Sequence, residues 1–319
     1  MSRLNSKVLK ALIEQQFVSG SELEADVGVS RQAIHGAIND LKDKGVNILT
    51  VPRKGYQFLD DGNVLLDVVV KKHLNTKKLG QSNLEILKKV DSTNTYIKKN
   101  LSDKINSVVI ANLQTKGMGR KGRAFHSGAG GIYMSMLLKP QLHIQKLSLI
   151  TMAAAVAVCD SLKQICGFNA DIKWVNDIYY NGKKLCGIST DATFSAEIGE
   201  LQSVVLGIGL NMHPVDITLC NHAISIEEIA GKGNFRNTLA AAIINNVEKT
   251  VTQLEQNEKD ILERYKEHVF IWGKEITIFE HDKIYTATAA SLSSTGALIV
   301  KLNDGNTKEL IAAEVSVKV

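Results

Sequence analysis

The sequence predicts an α+β protein of three domains, and three observations support this fold class. Residues 1–62 show a helical apolar pattern that ends in a hairpin. Residues 63–270 alternate strand-like runs with helical ones, and residues 271–319 hold only short strand-like runs separated by turns. We therefore expect a winged helix-turn-helix, a central mixed α/β domain and a small C-terminal β-barrel.

Composition indicates a folded protein from a reducing compartment. Hydrophobic residues make up 44% of the 319 residues and charged residues 22%, which is typical of a globular chain. The net charge of +5 favours anionic partners. The longest near-apolar run, Leu147 to Val158, is shorter than the roughly 20 residues that cross a bilayer, so we expect a buried helix there, a cytoplasmic protein and no membrane partner. Neither a C-x-x-C pair nor the histidine spacing of a zinc site occurs among the four cysteines: Cys159, Cys166, Cys186 and Cys220.

In residues 1–62, a short helix, a glycine turn and a longer helix follow one another, as in a helix-turn-helix. Ser21 and Glu24 have the spacing of a capping box for the short helix, and Ser30 is placed to cap the longer one. Two strand-like pieces flank Pro52-Arg53-Lys54-Gly55, which predicts a wing with a cationic tip.

This arrangement favours DNA binding. Polar side chains near the start of the longer helix can reach base edges in a major groove, and cations at the wing tip can contact phosphate. Residues 1–60 also hold seven acidic residues against eight Lys and Arg, so a helical docking module is the alternative. The predicted DNA-binding residues are Ser30, Arg31, Gln32, His35, Asn39, Arg53 and Lys54.

A stretch that we call the glycine–arginine loop, Gly117 to Arg123, lies between two predicted strands of the central domain. It holds three glycines and three cations in seven residues. Glycine lets the backbone approach a ligand closely, and the amides with Arg and Lys then form a concave anion site. A basic surface turn that binds nothing has the same composition and is the alternative.

A second group of charges follows between Lys173 and Lys184. Lys173 and Asp177 share strand parity, and a hairpin at Asn181-Gly182 returns Lys184 to the same side. Two cations and a carboxylate in one place can orient an anion and hold a metal ion. A cross-strand ion pair without a ligand is the alternative.

Two further stretches predict walls of a pocket. The short polar side chains of Asp91 to Asn94 either cap the following helix or point into a pocket. Gly207 and Gly209 share one face of a buried strand, which indicates that a flat group or a tightly packed helix lies against that face.

The C-terminal segment, 271–319, predicts a small barrel of four or five short antiparallel strands and contains no catalytic pattern. A turn is expected at His281-Asp282. The strand-like runs are 276–280, 284–290, 297–302 and 309–315.

Four motifs in this order resemble the biotin protein ligases, specifically the bifunctional kind that is also the biotin-operon repressor. They are Gly117-x-Gly-Arg-x-Gly-Arg123, Lys173-Trp-x-Asn-Asp177, Lys184-Leu-x-Gly187 and Gly207-x-Gly-x-Asn211. The resemblance spans the whole chain. It implies a central domain of the biotin/lipoate ligase type between the winged helix-turn-helix and an SH3-like barrel.

The resemblance implies a reaction in two steps. ATP activates the biotin carboxylate to biotinyl-5′-AMP with release of pyrophosphate. A lysine of a biotin carboxyl carrier protein, a subunit of acetyl-CoA carboxylase, then attacks the mixed anhydride. Magnesium is expected to arrive with ATP near Asp177 rather than at a protein-only metal site, and the further expected partners are operator DNA and, when biotinyl-5′-AMP is bound, a second copy of the chain.

The resemblance also implies roles residue by residue. Catalysis is expected of Lys184, Arg120 and Asp177. Biotin is expected to contact a set of polar and glycine residues: Ser92, Thr93, Asn94, Gln114, Gly117, Met118, Gly119, Arg120, Lys184, Gly187 and Gly207. ATP and the adenylate are expected to contact a second set: Arg120, Arg123, Phe125, Lys173, Trp174, Asn176, Asp177 and Asn211.

The sequence departs from the family pattern at three positions. Met118 stands where many relatives have arginine, Val175 where most have proline, and Phe125 where tryptophan is common. Residues 212–234 are predicted to be loop and contain no aromatic side chain, so the group that stacks on adenine is left open. The competing functions are a lipoate-type ligase, a non-catalytic biotin-sensing regulator, and a ligase with a merely structural N-terminal domain.

Overall fold

The computed structural model of the 319-residue chain divides by its internal contacts into two compact units. The first is Met1–Leu74 with Lys232–Ala241, and the second is Asn75–Gly231 with Ala242–Val319. The domain boundaries at 62/63 and 270/271 stay predictions. The structure describes residues 1–119, 122–195, 197, 199–216, 218, 220, 222–280, 283–311 and 313–317, the last without its side chain.

The first unit contains the predicted helix-turn-helix and wing. The two wing strands pair antiparallel. Apolar side chains at helical spacing on the first three helices are buried in one core: Leu9, Leu12, Leu23, Ile34, Ile38 and Leu41. The elements are α1 (Arg3–Glu14), α2 (Gly20–Val27), α3 (Arg31–Asp43), β1 (Ile48–Val51), β2 (Gly55–Phe58) and α4 (Asp67–Lys72).

The capping box of α2 lies two residues earlier than predicted. Ser19 is the N-cap: its side chain accepts from the amide of Glu22, and the Glu22 carboxylate accepts from the amide of Ser19 at 2.7 Å. The pair Ser21 and Glu24 has the same spacing, so spacing alone does not separate the two pairs. Ser30 caps α3 as predicted.

The polar stretch Asp60-Asp61-Gly62-Asn63, whose composition is typical of a linker, is hydrogen-bonded within the first unit. Asn237 accepts from the amide of Leu66 at 2.9 Å. Its side-chain amide donates to Asp60 Oδ1 at 2.9 Å and to the carbonyl of Val64 at 3.1 Å. Residues 60–66 are therefore fixed to the start of the helix that carries Asn237.

The second unit is built on a seven-stranded mixed sheet in the order β3-β4-β5-β9-β8-β7-β6. β3 and β4 are parallel, and the other neighbouring pairs are antiparallel. Because β9 pairs with both β5 and β8, residues that are distant in sequence become neighbours at the centre. The strands are β3 (Leu84–Leu87), β4 (Val108–Ala111), β5 (Ile132–Leu138), β6 (Asp171–Lys173), β7 (Asp177–Tyr180), β8 (Lys183–Phe194) and β9 (Leu201–Leu210).

Further helices lie between or after these strands in the chain. They are α5 (Thr93–Asn100), α6 (Leu147–Cys166), α7 (Ile226–Ala230), α8 (Arg236–Gln256) and α9 (Glu258–His268). α5 packs on β4, β5 and β9, and α6 packs on β7, β8 and α9. The helix α7 lies in 212–234, which was predicted to be loop throughout; Ser225 and Glu228 form the capping box that starts it.

The helix α6 is the buried helix that the apolar run predicted. By length and hydropathy alone, one described stretch, Ile144–Cys166, is apolar enough to cross a membrane. However, 72% of the tested window is buried inside the protein. It is therefore accounted for as a core helix of this unit.

The C-terminal segment forms a five-stranded antiparallel sheet in the order β13-β12-β11-β10-β14. The run predicted as one strand at 309–315 is two strands, the first ending at Leu310 and the second beginning at Glu314. The turn predicted at His281-Asp282 lies outside the described residues. The strands are β10 (Glu275–Glu280), β11 (Lys283–Leu292), β12 (Leu298–Lys301), β13 (Thr307–Leu310) and β14 (Glu314–Val317).

Candidate active site

Two rows of side chains cross the three central strands and form the floor of the candidate site. In the first row, Ser135 of β5, Gly207 of β9 and Ser189 of β8 are register partners. The second row lies two residues away on each strand and contains Tyr133, Gly209 and Gly187. Because residues two apart point to the same face of a strand, both rows belong to one face of the sheet.

The flat groups expected over the glycines are the side chains of Phe125 and Asn94. A Cβ added at Gly209 would lie 2.5 Å from Cε1 of Phe125, and one added at Gly187 would lie 3.1 Å from Cε2. A Cβ added at Gly207 would lie 2.5 Å from Oδ1 of Asn94. Only glycine allows both groups to lie this close to the sheet.

Asp177 and Lys184 form the central ion pair of the site, with Nζ 2.7 Å from Oδ1 and both side chains largely buried. Lys173 does not join this pair. Its ammonium lies over the ring of Tyr179 at 5.2 Å and donates to the Tyr179 hydroxyl at 3.2 Å. The three residues nevertheless line one cavity, as strand parity predicted.

The segment between Trp174 and Asp177 is fixed by hydrogen bonds from several elements. The indole of Trp174 donates to the carbonyl of Gly296 at 3.0 Å, and the buried hydroxyl of Tyr265 donates to the carbonyl of Val175 at 3.1 Å. The Asn176 amide donates to the carbonyl of Ile188 at 2.8 Å and lies 3.3 Å from Oδ1 of Asp177.

The glycine–arginine loop turns back on itself above this floor. The amide of Gly119 donates to the carbonyl of Arg123 at 2.8 Å, and the amide of Phe125 donates to the carbonyl of Gly117 at 2.8 Å. Arg123 forms an ion pair with Glu314, and this hydrogen-bonded pairing raises the pKa of the guanidinium. Arg120 lies outside the described residues.

A polar cluster forms the inner wall. Gln114 accepts from the amide of Thr93 at 2.8 Å and donates to the hydroxyl of Ser127 at 2.9 Å, which in turn donates to the carbonyl of Phe125 at 3.0 Å. Ser92 occupies the N-cap position of α5, yet its side chain makes no capping hydrogen bond. The capping explanation therefore does not account for Ser92, which lines the cavity instead.

Three adjoining cavities share Phe125 and Lys184, with volumes of about 60, 180 and 460 Å³. The smallest lies over the polar cluster and the glycines, the middle one beside Asp177 and Arg123, and the largest beside Gln114 and Asn211. Every predicted biotin, ATP or catalytic residue within the described part of the chain lines at least one of them.

Several residues at this site are not among those predicted from the sequence. Ser189 and Glu314 line the cavities, Ser127 lines the largest, and Ser135 lies beneath Asn94. Strand parity with Gly187 is a signal that points to Ser189. The others are brought in by pairing or contacts between distant parts of the chain, which no local pattern reveals.

The buried cysteines Cys159 and Cys186 are not suited to nucleophilic chemistry. Cys186 lines the largest cavity, but burial raises the pKa of its thiol, and burial likewise holds the pKa of Cys159 well above its usual value. A protonated thiol is a poor nucleophile. In the described part of the chain, no group of three or more His, Cys, Asp or Glu side chains is placed to hold a metal ion.

The first unit carries a separate candidate site on α3 and the wing. Arg31, Gln32, His35 and Asn39 are all exposed. His35 and Asn39 are hydrogen-bonded to each other at 3.2 Å. At the wing, the backbone of Arg53 is left-handed, with φ of 65°, and Lys54 lies 4.9 Å from the ring centre of Phe17. Ser30 is the helix cap: its hydroxyl oxygen accepts from the amide of Ala33 at 3.4 Å.

Comparisons with known proteins agree with this geometry. The sequence pattern of the Biotin/lipoate A/B protein ligase family matches residues 86–211, an HTH domain matches 5–57, and the Biotin protein ligase C terminal domain matches 271–318. The Bifunctional ligase/repressor BirA of Bacillus subtilis (strain 168) is 34% identical over 72% of this chain and 74% of its own length. The protein of the same name from Escherichia coli (strain K12) is 29% identical over 98% of this chain and 96% of its own.

A solved structure gives the same result. The biotin protein ligase from Aquifex aeolicus, in complex with biotin and ATP, superposes with a TM-score of 0.64 at 25% identity. The match covers 74% of this chain and 98% of that one.

The close approach of Phe125 to the sheet can be tested with Gly209→Ala. The added Cβ would overlap the ring, and the ring end can move, so we expect the ring to shift away from position 209 at a cost of less than about 1 kcal/mol in the free energy of unfolding. A crystal structure and chemical denaturation measure the two effects. Gly36→Ala is the control for the ring position: nothing lies within 4 Å of its added Cβ, so it should leave the ring in place, and because Gly36 is inside α3 it should raise the free energy of unfolding by up to about 1 kcal/mol. A ring that stays in place over the new methyl group would contradict the packing described here.

Proposed function

Because this chain belongs to the biotin protein ligase family, in its bifunctional ligase/repressor branch, we propose that the three adjoining cavities hold biotin and ATP during formation of biotinyl-5′-AMP. The chain is a biotin protein ligase and, through its helix-turn-helix, a repressor. The observation that carries the proposal is the position of Lys184, which lines all three cavities. A cation at this point faces both a carboxylate and a phosphate, the two groups that the reaction joins.

The residues that line the smallest cavity match the chemistry of biotin. Its fused rings include a cyclic urea, which needs donors and acceptors, and a compact ring surface, which needs a floor without side chains. The cavity offers Thr93, Asn94 and Gln114 as polar groups and Gly187 and Gly207 as floor. A dithiolane such as that of lipoate carries no urea to pair with these polar groups, so the cluster favours biotin over lipoate.

The middle cavity suits the phosphates of ATP by its charge. Lys173, Lys184 and Arg123 contribute positive charge there, and charge-assisted hydrogen bonds to phosphate are the strong kind. Magnesium is commonly bound by one or two carboxylates together with substrate phosphates. Asp177 fits such an ion arriving with ATP, which would withdraw charge from the phosphates; Asn176 lies beside it.

The adenylate is assigned to the largest cavity, bounded by Gly117, Phe125 and Asn211. Asn211 is held there by a hydrogen bond from its amide to the carbonyl of Ile224 at 3.2 Å. Arg120 belongs to the same loop as Gly117. Its motif alone assigns it to neutralise the negative charge that develops where the carboxylate and the phosphate meet.

The catalytic assignment predicts that Lys184→Ala loses adenylation. Pyrophosphate release by the unaltered chain should require biotin and Mg·ATP together, and Lys184→Ala should lower it at least about 100-fold, because a cation no longer offsets the meeting of two anions. Release is measured with a coupled phosphate assay. Lys183→Ala is the matched control, since Lys183 precedes it on β8 and is exposed.

The alternatives give different results in the same assay. Release with lipoate or octanoate instead of biotin would indicate a lipoate-type ligase. A chain that binds biotin but releases no pyrophosphate would be a sensing regulator. Equal activity of Lys184→Ala and Lys183→Ala would remove Lys184 from the mechanism.

DNA recognition is assigned to the exposed face of α3 and the wing. Arg31, Gln32, His35 and Asn39 are the side chains available to read bases, with Arg53 and Lys54 placed for phosphate. Ser30 contributes to this face by capping α3, the helix that carries these side chains. A structural N-terminal domain would show no such dependence on these side chains.

For DNA binding, we expect Arg31→Ala to weaken affinity for the chain's own upstream biotin-gene region in the presence of biotinyl-5′-AMP. If Arg31 contacts phosphate, the slope of log affinity against log salt should fall by about one. Titration by fluorescence anisotropy at several salt concentrations measures this. Lys10→Ala is the control, because Lys10 is an exposed cation on α1. A salt-independent affinity, or equal loss in both variants, would favour a docking module.

We also assign a biotin carboxyl carrier protein as the acceptor, the cytoplasm as the compartment and a two-fold dimer as the repressing state. The four cysteines are free thiols, which suits a reducing compartment. A two-fold dimer presents two copies of α3, as a palindromic operator requires.

The dimer assignment predicts a change in mass with ligand. Sedimentation velocity should show a mostly monomeric chain alone and a dimer with biotinyl-5′-AMP, and biotin without ATP serves as the control. A monomer in the presence of saturating biotinyl-5′-AMP at micromolar concentration would contradict it.

A further inference from the structure

A serine–glycine–serine row, Ser135, Gly207 and Ser189, holds the side chain of Asn94. The three residues are register partners on adjacent strands β5, β9 and β8. Asn94 lies directly over the glycine, since an added Cβ at Gly207 would be 2.5 Å from its Oδ1 and 3.0 Å from its Nδ2. The amide therefore lies flat on the sheet between two hydroxyls.

The two ends of this amide have different partners. Ser135 donates to Oδ1 at 2.5 Å, while Nδ2 donates to the hydroxyl of Ser189 at 3.2 Å and faces Oδ2 of Asp191 at 3.4 Å. A carboxylate only accepts, so Asp191 requires the NH₂ end on its side. The opposite end is then the carbonyl, which only accepts, and Ser135 must supply the proton. The two contacts define the same orientation of the amide.

This orientation determines what Asn94 offers to a ligand. Both hydrogens of Nδ2 are directed at Ser189 and Asp191, and one lone pair of Oδ1 is taken by Ser135. The second lone pair of Oδ1 is left, so the side chain acts as an acceptor towards the cavity that it lines.

We propose that Ser135 is a positioning residue for ligand specificity: it fixes the amide of Asn94 so that Oδ1 accepts from an N–H of the cyclic urea of biotin. The proposal rests on the assignment of biotin to this cavity. Ser135 itself is fully buried and does not line the cavity, so it acts through its neighbours. Its hydroxyl is also 2.6 Å from Oγ1 of Thr93, which adds a second tie to the same wall.

A serine that only fills space would have a different signature. Removing it would lower stability without changing how tightly one substrate binds. Removing the donor to Asn94 leaves Oδ1 without its protein partner, so the side chain is held by its NH₂ end alone and Oδ1 can move away from the N–H of the ligand. The affinity for biotin then falls while the phosphate cavity is untouched.

The test is Ser135→Ala in the full-length chain. We expect KM for biotin in pyrophosphate release to rise at least about tenfold, with KM for ATP and kcat at saturating biotin unchanged within about twofold. Ser135→Cys, which keeps a weak S–H donor, should give an intermediate KM. If Ser135→Ala does not fold, the Cys variant alone decides, and a KM equal to that of the unaltered chain would overturn the proposal.

A double-mutant cycle isolates the path through Asn94. In an Asn94→Ala background, Ser135→Ala should raise KM for biotin much less than it does in the unaltered chain, because only the contact with Thr93 is then left for it to remove. Additive effects would overturn the proposal. Ser161→Ala is the matched control. Ser161, on α6, is equally buried and accepts from the side-chain amide of Asn246 at 2.9 Å. The substitution should lower stability and leave KM for biotin unchanged.

The outcomes separate this proposal from the function on which it rests. No biotin-dependent pyrophosphate release by the unaltered chain would overturn the assignment of the cavities. Biotin-dependent release together with an unchanged KM in Ser135→Ala, or a fall in kcat alone, would overturn only the role of Ser135.

Discussion

The pairing of β9 with both β5 and β8 is the constraint on which the site depends. It aligns two rows of residues, and each row must have glycine at its centre because a side chain from elsewhere lies flat on it. Glycine weakens a strand interior, and here β9 is protected by full pairing on both edges and by a nearly complete apolar core. The sheet thus tolerates a smooth face where a ligand can approach the backbone.

The glycine–arginine loop is tied to the rest of the unit by weak contacts, which suits a segment that covers a ligand. Arg123 and Glu314 form an ion pair, but their side chains are 66% and 36% exposed, and exposed pairs contribute about 0–1 kcal/mol. Phe125 rests on glycines without being enclosed, with Tyr133 at 6.5 Å as an edge-on neighbour. Moving the ring and the arginine therefore costs little compared with the binding energy of a charged ligand.

Sequence patterns predicted the helix-turn-helix, the wing, the core helix and the order of the four motifs, because each depends on residues that are close in the chain. They failed where the choice is made by tertiary contacts. Ser19 and Ser21 both begin a capping-box spacing, and only packing selects Ser19. Ser189 and Ser135 enter the site through strand register, and Glu314 through a loop contact 191 residues away from Arg123. The position of Ser92 indicated a helix cap, whereas its side chain makes no capping hydrogen bond and the residue lines the smallest cavity.

A cross-strand ion pair and an anion site, the two interpretations of Lys173, Asp177 and Lys184, are compatible with each other. A half-buried lysine without a partner would lose hydration with nothing to replace it, and Asp177 at 2.7 Å supplies that replacement. The same contact holds the ammonium at the junction of the three cavities. Because we assign magnesium to Asp177 as well, the metal that accompanies ATP would compete with Lys184 for this carboxylate. That competition would free the ammonium for the incoming carboxylate only when the nucleotide is in place, which ties the charge available for the reaction to the presence of both substrates.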